Sequence, residues 1–502
     1  MSATDLAAAV EDALATDPEA VRERAQREAE ALLAAVQEGA FDNSQALVGL
    51  ELELYGVDAR TDALCRVPRQ LLGLIGFEQE LGLHNVETQT TPQPLNTHGL
   101  AAQKRELQAT LESAIDRTLA EDIRLVSDGC WTVPPVGEDA RSYLTDAVEA
   151  DGVTIGTNMS DAVRYHAMAN TDYPANLSVD APNVTLDAET VMPESLITSI
   201  QPHYQVPRAS ALGQHFRYAL RVAGPLLALG VNAPFFPPGL YDDVPADRIL
   251  EEAHMSHRIA IFESVLNDPD GPGKVRFPDD IESVEDAVRA VVEDPTIVPM
   301  DPPRGTRFDD QFATLRHKHG SYWRWVRPVF DGASRSSANA RIEFRPIGAQ
   351  PTLHDAVAFE AVFAGLMESL PRLEHPVGTL DWADAEENFR AAAEDGLQAE
   401  MTWIASDGTE TTATDRIYDD LFEHAREGLE HRGLASSEAR RYLRPLRERV
   451  DRRVTPARWK HDRVSDQVKA GVPLGEAIWE MQSAYIDRQS ETLVDGQFID
   501  WV

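Results

Sequence analysis

Cysteine and long apolar stretches are both scarce in this chain of 502 residues. Its two cysteines, Cys65 and Cys130, are too few for a disulfide framework or a cysteine-based zinc site, which fits a reducing cytoplasm. The longest apolar stretch, 223–236, is interrupted by Pro225 and Pro234, so we expect no membrane-spanning helix. The first residues lack the basic start and apolar core of a secretion signal. These absences predict a cytoplasmic protein with no membrane partner.

Lysine is also scarce, with five residues in the whole chain. The 84 Asp and Glu residues outnumber the 46 Lys and Arg residues, which gives a net charge of -38. Such an acid excess indicates adaptation to concentrated salt, where the Debye length falls to about 3 Å and self-repulsion is screened. A nucleic-acid partner needs a clustered basic surface, and this charge balance argues against one.

Two common phosphate-binding motifs are absent as well. The chain has no glycine-rich loop that ends in Lys followed by Ser or Thr, and no Gly-x-Gly-x-x-Gly. Both motifs bind phosphate through backbone N–H groups at a helix N-terminus. A nucleotide bound by this chain would therefore be held by a metal ion and arginine side chains.

The pattern along the chain divides it into three parts, since its length exceeds that of a usual one-core domain. Residues 1–43 have helical spacing and are predicted to form an N-terminal helical extension. Residues 44–380 are predicted to form a catalytic body of sheet and helices, with an amphipathic helix over 209–229 and an insertion or loop at 267–310. Residues 381–502 are predicted to form a helical C-terminal region packed on the body.

Segment 49–54 alternates apolar and acidic residues with the period of a β-strand. Because strand side chains point alternately to the two faces, its three leucines share one face, and Glu51 and Glu53 lie side by side on the other. Two carboxylates about 7 Å apart on a rigid strand can hold one metal ion or bridge two. The segment therefore predicts a strand with an apolar side and a metal-binding side.

Three further segments show the same alternation, and each places polar side chains on one face. These side chains are Glu87 in 85–89, Gln201, His203 and Gln205 in 200–206, and Glu343 and Arg345 in 340–345. If the four strands lie in one sheet, the sheet has an apolar face for packing and a polar face for chemistry.

The polar face offers a hard ligand set, dominated by carboxylate oxygen, that suits Mg²⁺ or Mn²⁺ better than zinc or copper. Glu80, seven residues before Glu87, is a further ligand candidate. Arg345 can bind a phosphate oxygen bidentately, and an arginine beside a Mg²⁺ cluster is typical of phosphoryl transfer. Taken singly, Glu51 and Glu53 could instead belong to a solvated acidic face, and His203 could be a structural histidine. Glu343 and Arg345 could belong to a surface face of cross-strand ion pairs. Their joint occurrence favours the catalytic interpretation.

In the order of these segments, the chain resembles the glutamate–cysteine ligase family, in particular its bacterial and archaeal carboxylate–amine ligase branch. The resemblance extends from about residue 44 to residue 490. Segment 49–53 is similar to the family's Gly-x-Glu-x-Glu, and 201–207 lies where the family has Gly-x-His-Val-His-Val-Gly. Glu80 together with 87–90 is similar to the family's second acidic segment. The other similar segments are 224–235, 256–258, 323–328, 342–352 and 387–392.

The resemblance implies an α+β fold with a curved, mainly antiparallel sheet of the glutamine-synthetase-like kind, backed by helices. It implies an ATP-dependent ligase that forms a carbon–nitrogen bond with ATP as co-substrate and Mg²⁺ or Mn²⁺ as the metal. The carboxylate of an amino acid attacks the γ-phosphoryl group of ATP, and an amine then captures the acyl phosphate to give an amide. Glutamate and cysteine, giving γ-glutamylcysteine, are the expected substrates.

The resemblance also implies roles for individual residues, assigned by their place in the family's motifs. Glu53 and Arg345 are the expected catalytic residues, and Arg258, Arg327 and Arg345 are expected to bind ATP or a substrate carboxylate. The expected metal ligands are Glu51, Glu53, Glu80, Glu87, His203 and Glu343.

Several positions depart from the family pattern. Gln205 replaces the second histidine of the family's strand, Gln201 and Pro207 replace its glycines, and Gly348 stands where the family has an aspartate. These positions are expected on the substrate side, so a ligase for another acid and amine is an alternative. A noncatalytic paralogue that binds a nucleotide or an amino acid is a second alternative, and a guanidino-type phosphotransferase is a more distant third. The sequence leaves open whether the protein is a homo-oligomer.

Overall fold

The molecule is organised around a curled antiparallel sheet, and the computed structural model describes residues 1–502. The fourteen strands are β1 (Leu47–Asp58), β2 (Glu78–Gln79), β3 (Asn85–Gln89), β4 (Gln93–Pro94), β5 (Ile123–Val126), β6 (Ala147–Ala150), β7 (Val153–Gly156), β8 (Val179–Ala181), β9 (Val184–Leu186), β10 (Ile200–Gln205), β11 (Val326–Asp331), β12 (Asn339–Phe344), β13 (Trp403–Ile404) and β14 (Glu410–Thr411).

Eight of these strands form the main sheet in the order β11-β12-β10-β1-β3-β2, and β4 and β5 also pair with β1. The remaining six form three separate two-stranded hairpins. All pairings in the main sheet are antiparallel, which confirms the predicted α+β class with an antiparallel sheet. The four segments predicted from alternation all lie in this one sheet.

Eighteen helices surround the sheet, and none has the length and apolar character that crossing a membrane requires. They are α1 (Ala3–Leu14), α2 (Pro18–Gln37), α3 (Arg69–Ile75), α4 (Thr97–Leu119), α5 (Ala140–Thr145), α6 (Val163–Ala169), α7 (Leu212–Arg221), α8 (Ala223–Gly230), α9 (Ala246–Glu251), α10 (His257–Leu266), α11 (Val284–Glu293), α12 (Ala313–His319), α13 (Leu353–Leu373), α14 (Trp382–Asp395), α15 (Thr414–His431), α16 (Ser436–Arg452), α17 (Pro456–Lys469) and α18 (Leu474–Thr492).

Helix α13 is the centre of the hydrophobic core. One side of it packs on β1 and β10, and it also packs on α15 and α16, so 18 of its 21 residues are buried. Gly365 of α13 and Gly428 of α15 face each other so closely that an added Cβ on either would overlap the backbone of the other helix. The apolar face of the sheet is therefore covered by a helix that is itself covered by a further helical layer.

The two N-terminal helices pack on different parts of the body. Helix α1 lies against α6 and β7, whereas α2 lies against α11 and α12. Buried Glu28 of α2 accepts hydrogen bonds from the backbone N–H groups of Thr314 (2.7 Å) and Leu315 (3.0 Å) in the first turn of α12. A carboxylate at a helix N-terminus satisfies N–H groups that have no partner within the helix. This contact ties the N-terminal helices to the body.

The helix predicted over 209–229 is divided in the structure. Helix α7 ends at Arg221 and α8 starts at Ala223, because Pro225 has no N–H to donate to the Arg221 carbonyl and its ring clashes with that group. Segment 267–310 contains α11 and is anchored by Asp294, which forms buried ion pairs with Lys274 and with Arg324.

Buried Glu360 of α13 predicts a pH dependence of stability. Both of its carboxyl oxygens are buried without a hydrogen-bond partner, and burial raises its pKa to about 8. An acid with a raised pKa in the folded state loses stabilising free energy as pH rises from its unfolded pKa, about 4.5, through about 8. We expect Glu360→Gln to raise the free energy of unfolding relative to the unsubstituted protein by an amount that grows over this window, reaching a few kcal/mol.

Thermal or denaturant unfolding of both proteins across this pH range tests the expectation. Glu112→Gln, at an exposed position on α4, is the matched control and should leave the pH profile unchanged. Parallel profiles for Glu360→Gln and the unsubstituted protein would show that Glu360 does not titrate in this way.

Candidate active site

The central strand β1 supplies two carboxylates to the polar face of the sheet. Leu50, Leu52 and Leu54 are buried in the core with at most 3% exposure, and Glu51 and Glu53 point the other way into a cavity. The alternation of the sequence therefore predicted both faces correctly.

Neighbouring strands place further acidic and amide groups beside β1. In the antiparallel register, Glu87 of β3 lies directly opposite Glu53, and Gln201 of β10 lies opposite Glu51. Directly opposite side chains on one face of a sheet have Cβ atoms about 5 Å apart. The register thus converts three distant segments into one cluster.

The other half of the sheet adds an imidazole and basic side chains. His203 of β10 lies opposite Glu343 of β12, which in turn lies opposite Arg327 of β11. Arg345 follows β12, and its Nη1 donates to Glu343 Oε1 at 2.5 Å. All of these side chains are on the same face as Glu51.

These groups surround a cavity of about 230 Å³. Six of the nine predicted site residues line it, namely Glu51, Glu53, Glu80, Glu87, Arg327 and Arg345. Gln201, which strand parity placed on the polar face, also lines it, as do residues that were not predicted, among them Arg164, Tyr165 and Glu194. The predicted convergence of acidic and guanidinium groups in one cavity is therefore present.

One wall of the cavity is crowded with carboxylates. Burial and the charges of Glu51 and Glu80 raise the pKa of Glu87 to about 11. Burial and the charges of Glu53 and Glu80 raise the pKa of Glu194 to about 8. Carboxylates that repel one another in a buried site need protons or cations for stability. This wall therefore has the electrostatic character of a cation site.

The opposite wall is built around Glu343. Burial alone would raise its pKa, yet the guanidinium groups of Arg327 and Arg345 hold it well below its ordinary value. Arg327 Nε donates to Glu343 Oε1 at 2.9 Å, and Arg345 shares the same oxygen. Arg345 Nε is buried and has no partner. The wall thus presents an N–H donor, already desolvated, to an anionic ligand.

Hydrogen bonds fix the side chains between the two walls. Glu53 accepts from the backbone N–H of Ser199 at 2.7 Å and from Gln201 Nε2 at 2.8 Å. Arg345 Nη1 donates to Gln201 Oε1 at 2.7 Å. Gln201 therefore joins the acidic wall to the basic wall and holds both in position.

His203 lies at the edge of this cavity and lines a second one. Its Nε2 is 3.1 Å from Glu51 Oε1, and its Nδ1 accepts a hydrogen bond from Arg341 Nε at 3.1 Å. A neutral imidazole that accepts at Nδ1 carries its proton on Nε2. To coordinate a cation through Nε2, a neutral His203 must carry its proton on Nδ1, so the hydrogen bond from Arg341 to Nδ1 must break. Asp331, which lies 2.7 Å from Arg341 Nη1, offers that guanidinium another partner.

The second cavity has a volume of about 330 Å³ and meets the first at Glu51. Gln205, one of the departures from the family pattern, lines it and donates from Nε2 to the Asn43 carbonyl at 3.1 Å. Gly348 lines neither cavity and forms a backbone bridge with Ser199. Two of the departures therefore face ligand space, Gln201 in the first cavity and Gln205 in the second.

Arg258 does not line either cavity, although it was predicted to contact a substrate or ATP. Its guanidinium lies over the Trp325 ring at 5.1 Å, and Nη1 donates to the Pro346 carbonyl at 3.3 Å. Burial lowers its pKa to about 10, against the opposing charges of Glu53 and Glu194. Arg258 therefore lies behind the acidic wall, where its buried positive charge offsets the negative charges of Glu53 and Glu194.

The residues missed by sequence reasoning have different origins. Gln201 and Arg341 lie on strands that the alternation predicted. Strand parity already places Gln201 on the same face as His203. Glu194 lies in a 3-10 helix and Tyr165 in α6, where no alternation marks a site. Tyr165 donates to Glu80 Oε2 at 2.9 Å, which holds that carboxylate at the cavity. Only the three-dimensional contacts reveal these two residues.

A divalent cation fits this donor set. The acidic wall supplies oxygen ligands, which Mg²⁺ prefers, and their mutual repulsion is a cost that a cation would remove. The buried Nε2 of His203 makes no hydrogen bond in the structure, so it is available once its proton is displaced. The chemistry of the residues is therefore consistent with the predicted metal.

A second group of potential ligands, His375, Asp420 and His424, lies away from the sheet. His375 Nδ1 accepts from the Val377 backbone N–H at 3.2 Å, so its proton is on Nε2, 3.1 Å from Asp420 Oδ2. His424 Nδ1 contacts the Asp420 carbonyl at 2.8 Å. These contacts account for the cluster as a structural hydrogen-bond network.

Comparison with known proteins gives a family model and a set of similar solved structures, among them the following two. The model described as glutamate-cysteine ligase family 2 matches residues 47–491. The glutamate–cysteine ligase of Francisella tularensis, solved in complex with AMP, has 14% identity and a TM-score of 0.53 over 90% of this chain and 91% of that chain. A bifunctional glutathione synthetase from Pasteurella multocida has 14% identity and a TM-score of 0.52, over 92% of this chain and 55% of that chain. No curated protein matches the sequence.

Proposed function

Because the chain belongs to glutamate–cysteine ligase family 2 and is thus an ATP-dependent carboxylate–amine ligase, we propose that it joins glutamate to cysteine. The product is γ-glutamylcysteine, formed through an acyl phosphate. The observation that carries the proposal is the single cavity in which the carboxylates of Glu51, Glu53 and Glu87 face the guanidinium groups of Arg327 and Arg345.

The reaction consists of two transfers. An oxygen of the substrate γ-carboxylate attacks the γ-phosphorus of ATP, the bond to the β-phosphate oxygen breaks, and ADP leaves. The amine of the second substrate then attacks the acyl carbon, and inorganic phosphate leaves with the loss of one proton from nitrogen. A bound Mg²⁺ would neutralise phosphate charge during the first transfer.

The basic wall would orient the transferred phosphoryl group. Arg345 is fixed by Glu343 and Gln201, and its free Nε provides a donor for a phosphate oxygen. Arg327, held by the same Glu343, lines the cavity beside it. Guanidinium groups already positioned in a dry site stabilise the charge of the transition state with little reorganisation.

The acidic wall would hold the cations. We assign Glu53, Glu80 and Glu87 to one group of ligands, with Glu194 as an added member. Glu51 and His203 form a second group near the junction of the two cavities, and we add Glu343 of the basic wall, which lines neither cavity but lies opposite His203. Glu51 is the residue common to both cavities, so a co-substrate that extends from one to the other passes it.

Arg258 would act without touching a substrate. From behind the wall its positive charge opposes the burial that raises the pKa values of Glu53 and Glu194, and so favours the ionised form of these carboxylates, which a cation binds. We therefore assign it as a positioning residue rather than as a ligand for substrate carboxylate or phosphate.

The substrate pair is tested by incubating the full chain with ATP, Mg²⁺ and a panel of amino acids in KCl. We expect ADP release that depends on glutamate and cysteine together, with a product of the mass of γ-glutamylcysteine. Chelation of the divalent metal with EDTA is expected to stop turnover, and added Mg²⁺ or Mn²⁺ to restore it. The assay measures ADP by a coupled reaction and the product by mass spectrometry.

Other outcomes would correct the proposal in defined ways. An amide formed from another acid and amine would replace the substrate pair and keep the ligase chemistry. ATP binding without ADP release under every pair would indicate a noncatalytic paralogue. Turnover that continues in EDTA would contradict the assignment of the acidic wall as a cation site.

A further inference from the structure

A large cavity of the molecule is separate from the catalytic face. It has a volume of about 940 Å³ and opens among α4, α13, α15 and α16. Its walls share no residue with the two cavities that meet at Glu51. His354 and Val357 of α13 line it, while other side chains of the same helix pack on the sheet. The proposed ligase reaction leaves this cavity unused.

Positive charge is concentrated on the walls of this cavity, which we call the basic cavity. Two of its 15 lining residues are acidic, whereas acidic residues outnumber basic ones by 84 to 46 in the whole chain. Its six basic residues are Lys104, Arg426, Arg440, Arg441, Arg444 and Arg447. The lining of the basic cavity therefore carries a net positive charge, whereas the whole protein carries a net negative charge.

The acidic groups of the wall are already engaged. Asp419 forms an ion pair with Arg447, and Glu423 forms one with Arg426. Of the other four basic side chains, Arg441 and Arg444 pair with Glu438 and Glu448 outside the lining, which leaves Lys104 and Arg440 without an ion pair.

Two of those four basic groups stand out. Lys104 Nζ contacts His354 Nε2 rather than a carboxylate, and burial together with the charge of Arg441 lowers its pKa. Arg440 lines the cavity and forms no ion pair within 4.0 Å. Because the nearby carboxylates do not pair with every cation of this lining, an anion that binds here would relieve the remaining repulsion.

From this surplus we propose that the basic cavity is a second ligand site, which binds a small molecule that carries several phosphate groups. Planar guanidinium groups match phosphate oxygens in pairs, and several arginines on one wall suit a chain of phosphates. The volume is in the range of about 300–1,000 Å³ that is usual for small-molecule sites. A long polyanion would have to cross the acidic surface of a chain with net charge -38, so the ligand is short.

The test uses inorganic tripolyphosphate as the probe, with EDTA present so that the acidic cavity holds no metal. Isothermal titration of the full chain is expected to show one binding site. The double substitution Lys104→Ser and Arg440→Ser should weaken this binding at least about tenfold, since it removes two charge-assisted contacts. Rising KCl should weaken it further by screening.

Two controls separate this site from the catalytic cavity. Arg22→Ser with Arg27→Ser removes the same charge from the exposed face of α2 and should bind as the unsubstituted protein does. Glu51→Gln should also bind normally, because the basic cavity does not include Glu51. Since neither metal nor turnover is involved, a failed ligase assay would leave this result unaffected.

Further arms define the ligand. ATP and ADP that compete with tripolyphosphate at the Lys104 and Arg440 site would identify the recognised group as the phosphate chain of a nucleotide. Inorganic phosphate, with a single group, should bind more weakly than tripolyphosphate. Absence of binding to the unsubstituted protein, or equal affinity in the double variant, would overturn the proposal.

Discussion

Replacing Glu51 by Gln is expected to reduce kcat roughly 10³-fold or more, because several kcal/mol of charge stabilisation depend on the anionic cluster. Glu51 is the residue shared by the two cavities, and its Oε1 lies 3.1 Å from His203 Nε2. The amide has nearly the same shape as the carboxylate, so packing is preserved while one negative ligand is lost. The expected result is an intact fold with little turnover.

The measurement is steady-state ADP release, with the unfolding transition of each variant as the test of folding. Glu149→Gln is the matched control, since Glu149 is exposed on β6, outside the main sheet, and lines neither cavity. It should retain the activity of the unsubstituted protein. If Glu51→Gln kept activity within about tenfold of that protein, Glu51 would not be a ligand essential to the reaction.

Arg345→Lys is expected to lower kcat by about 10²–10³-fold while the charge of the site stays the same. Arg345 holds Gln201 and Glu343 with Nη1, and its buried Nε makes no hydrogen bond. A lysine carries one compact ammonium group and cannot make this set of contacts from one planar group. The loss should therefore appear mainly in kcat and less in the KM for ATP.

Arg335→Lys serves as the control, because Arg335 is exposed and pairs with Glu38 on the surface. Kinetics at saturating ATP and amino acids compare the two variants. A loss confined to KM would assign Arg345 to ground-state binding, and an unchanged kcat would remove it from the phosphoryl-transfer step.

Strand parity made much of the site predictable. The alternation in β1, β3, β10 and β12 fixed which side chains face the cavity, since a strand offers only two faces. No segment contained the order of the strands in the sheet, and the resemblance to a family supplied only the expectation of one curved, mainly antiparallel sheet. Glu51, Glu53 and Glu87 were therefore assignable before their register was known.

Other parts of the site have no local pattern that would reveal them. Glu194 and Tyr165 reach the cavity from a 3-10 helix and a short α-helix, and tertiary packing alone brings them there. Arg258 matched a family motif, yet the stacking on Trp325 and the bond to the Pro346 carbonyl that keep it behind the wall are long-range contacts. The basic cavity was likewise hidden, because its residues come from four helices that the sequence does not place together.

Strand β1 pairs with β3, β4, β5 and β10, so four partners share its register. Inserting or deleting one residue near its middle would turn Glu51 and Glu53 toward α13 and expose leucines to the cavity. Burying two carboxylates in that core would cost more free energy than a domain can lose. A chain of this kind can thus change length in its loops during evolution, whereas the number of residues in this strand is fixed by the requirement to fold at all.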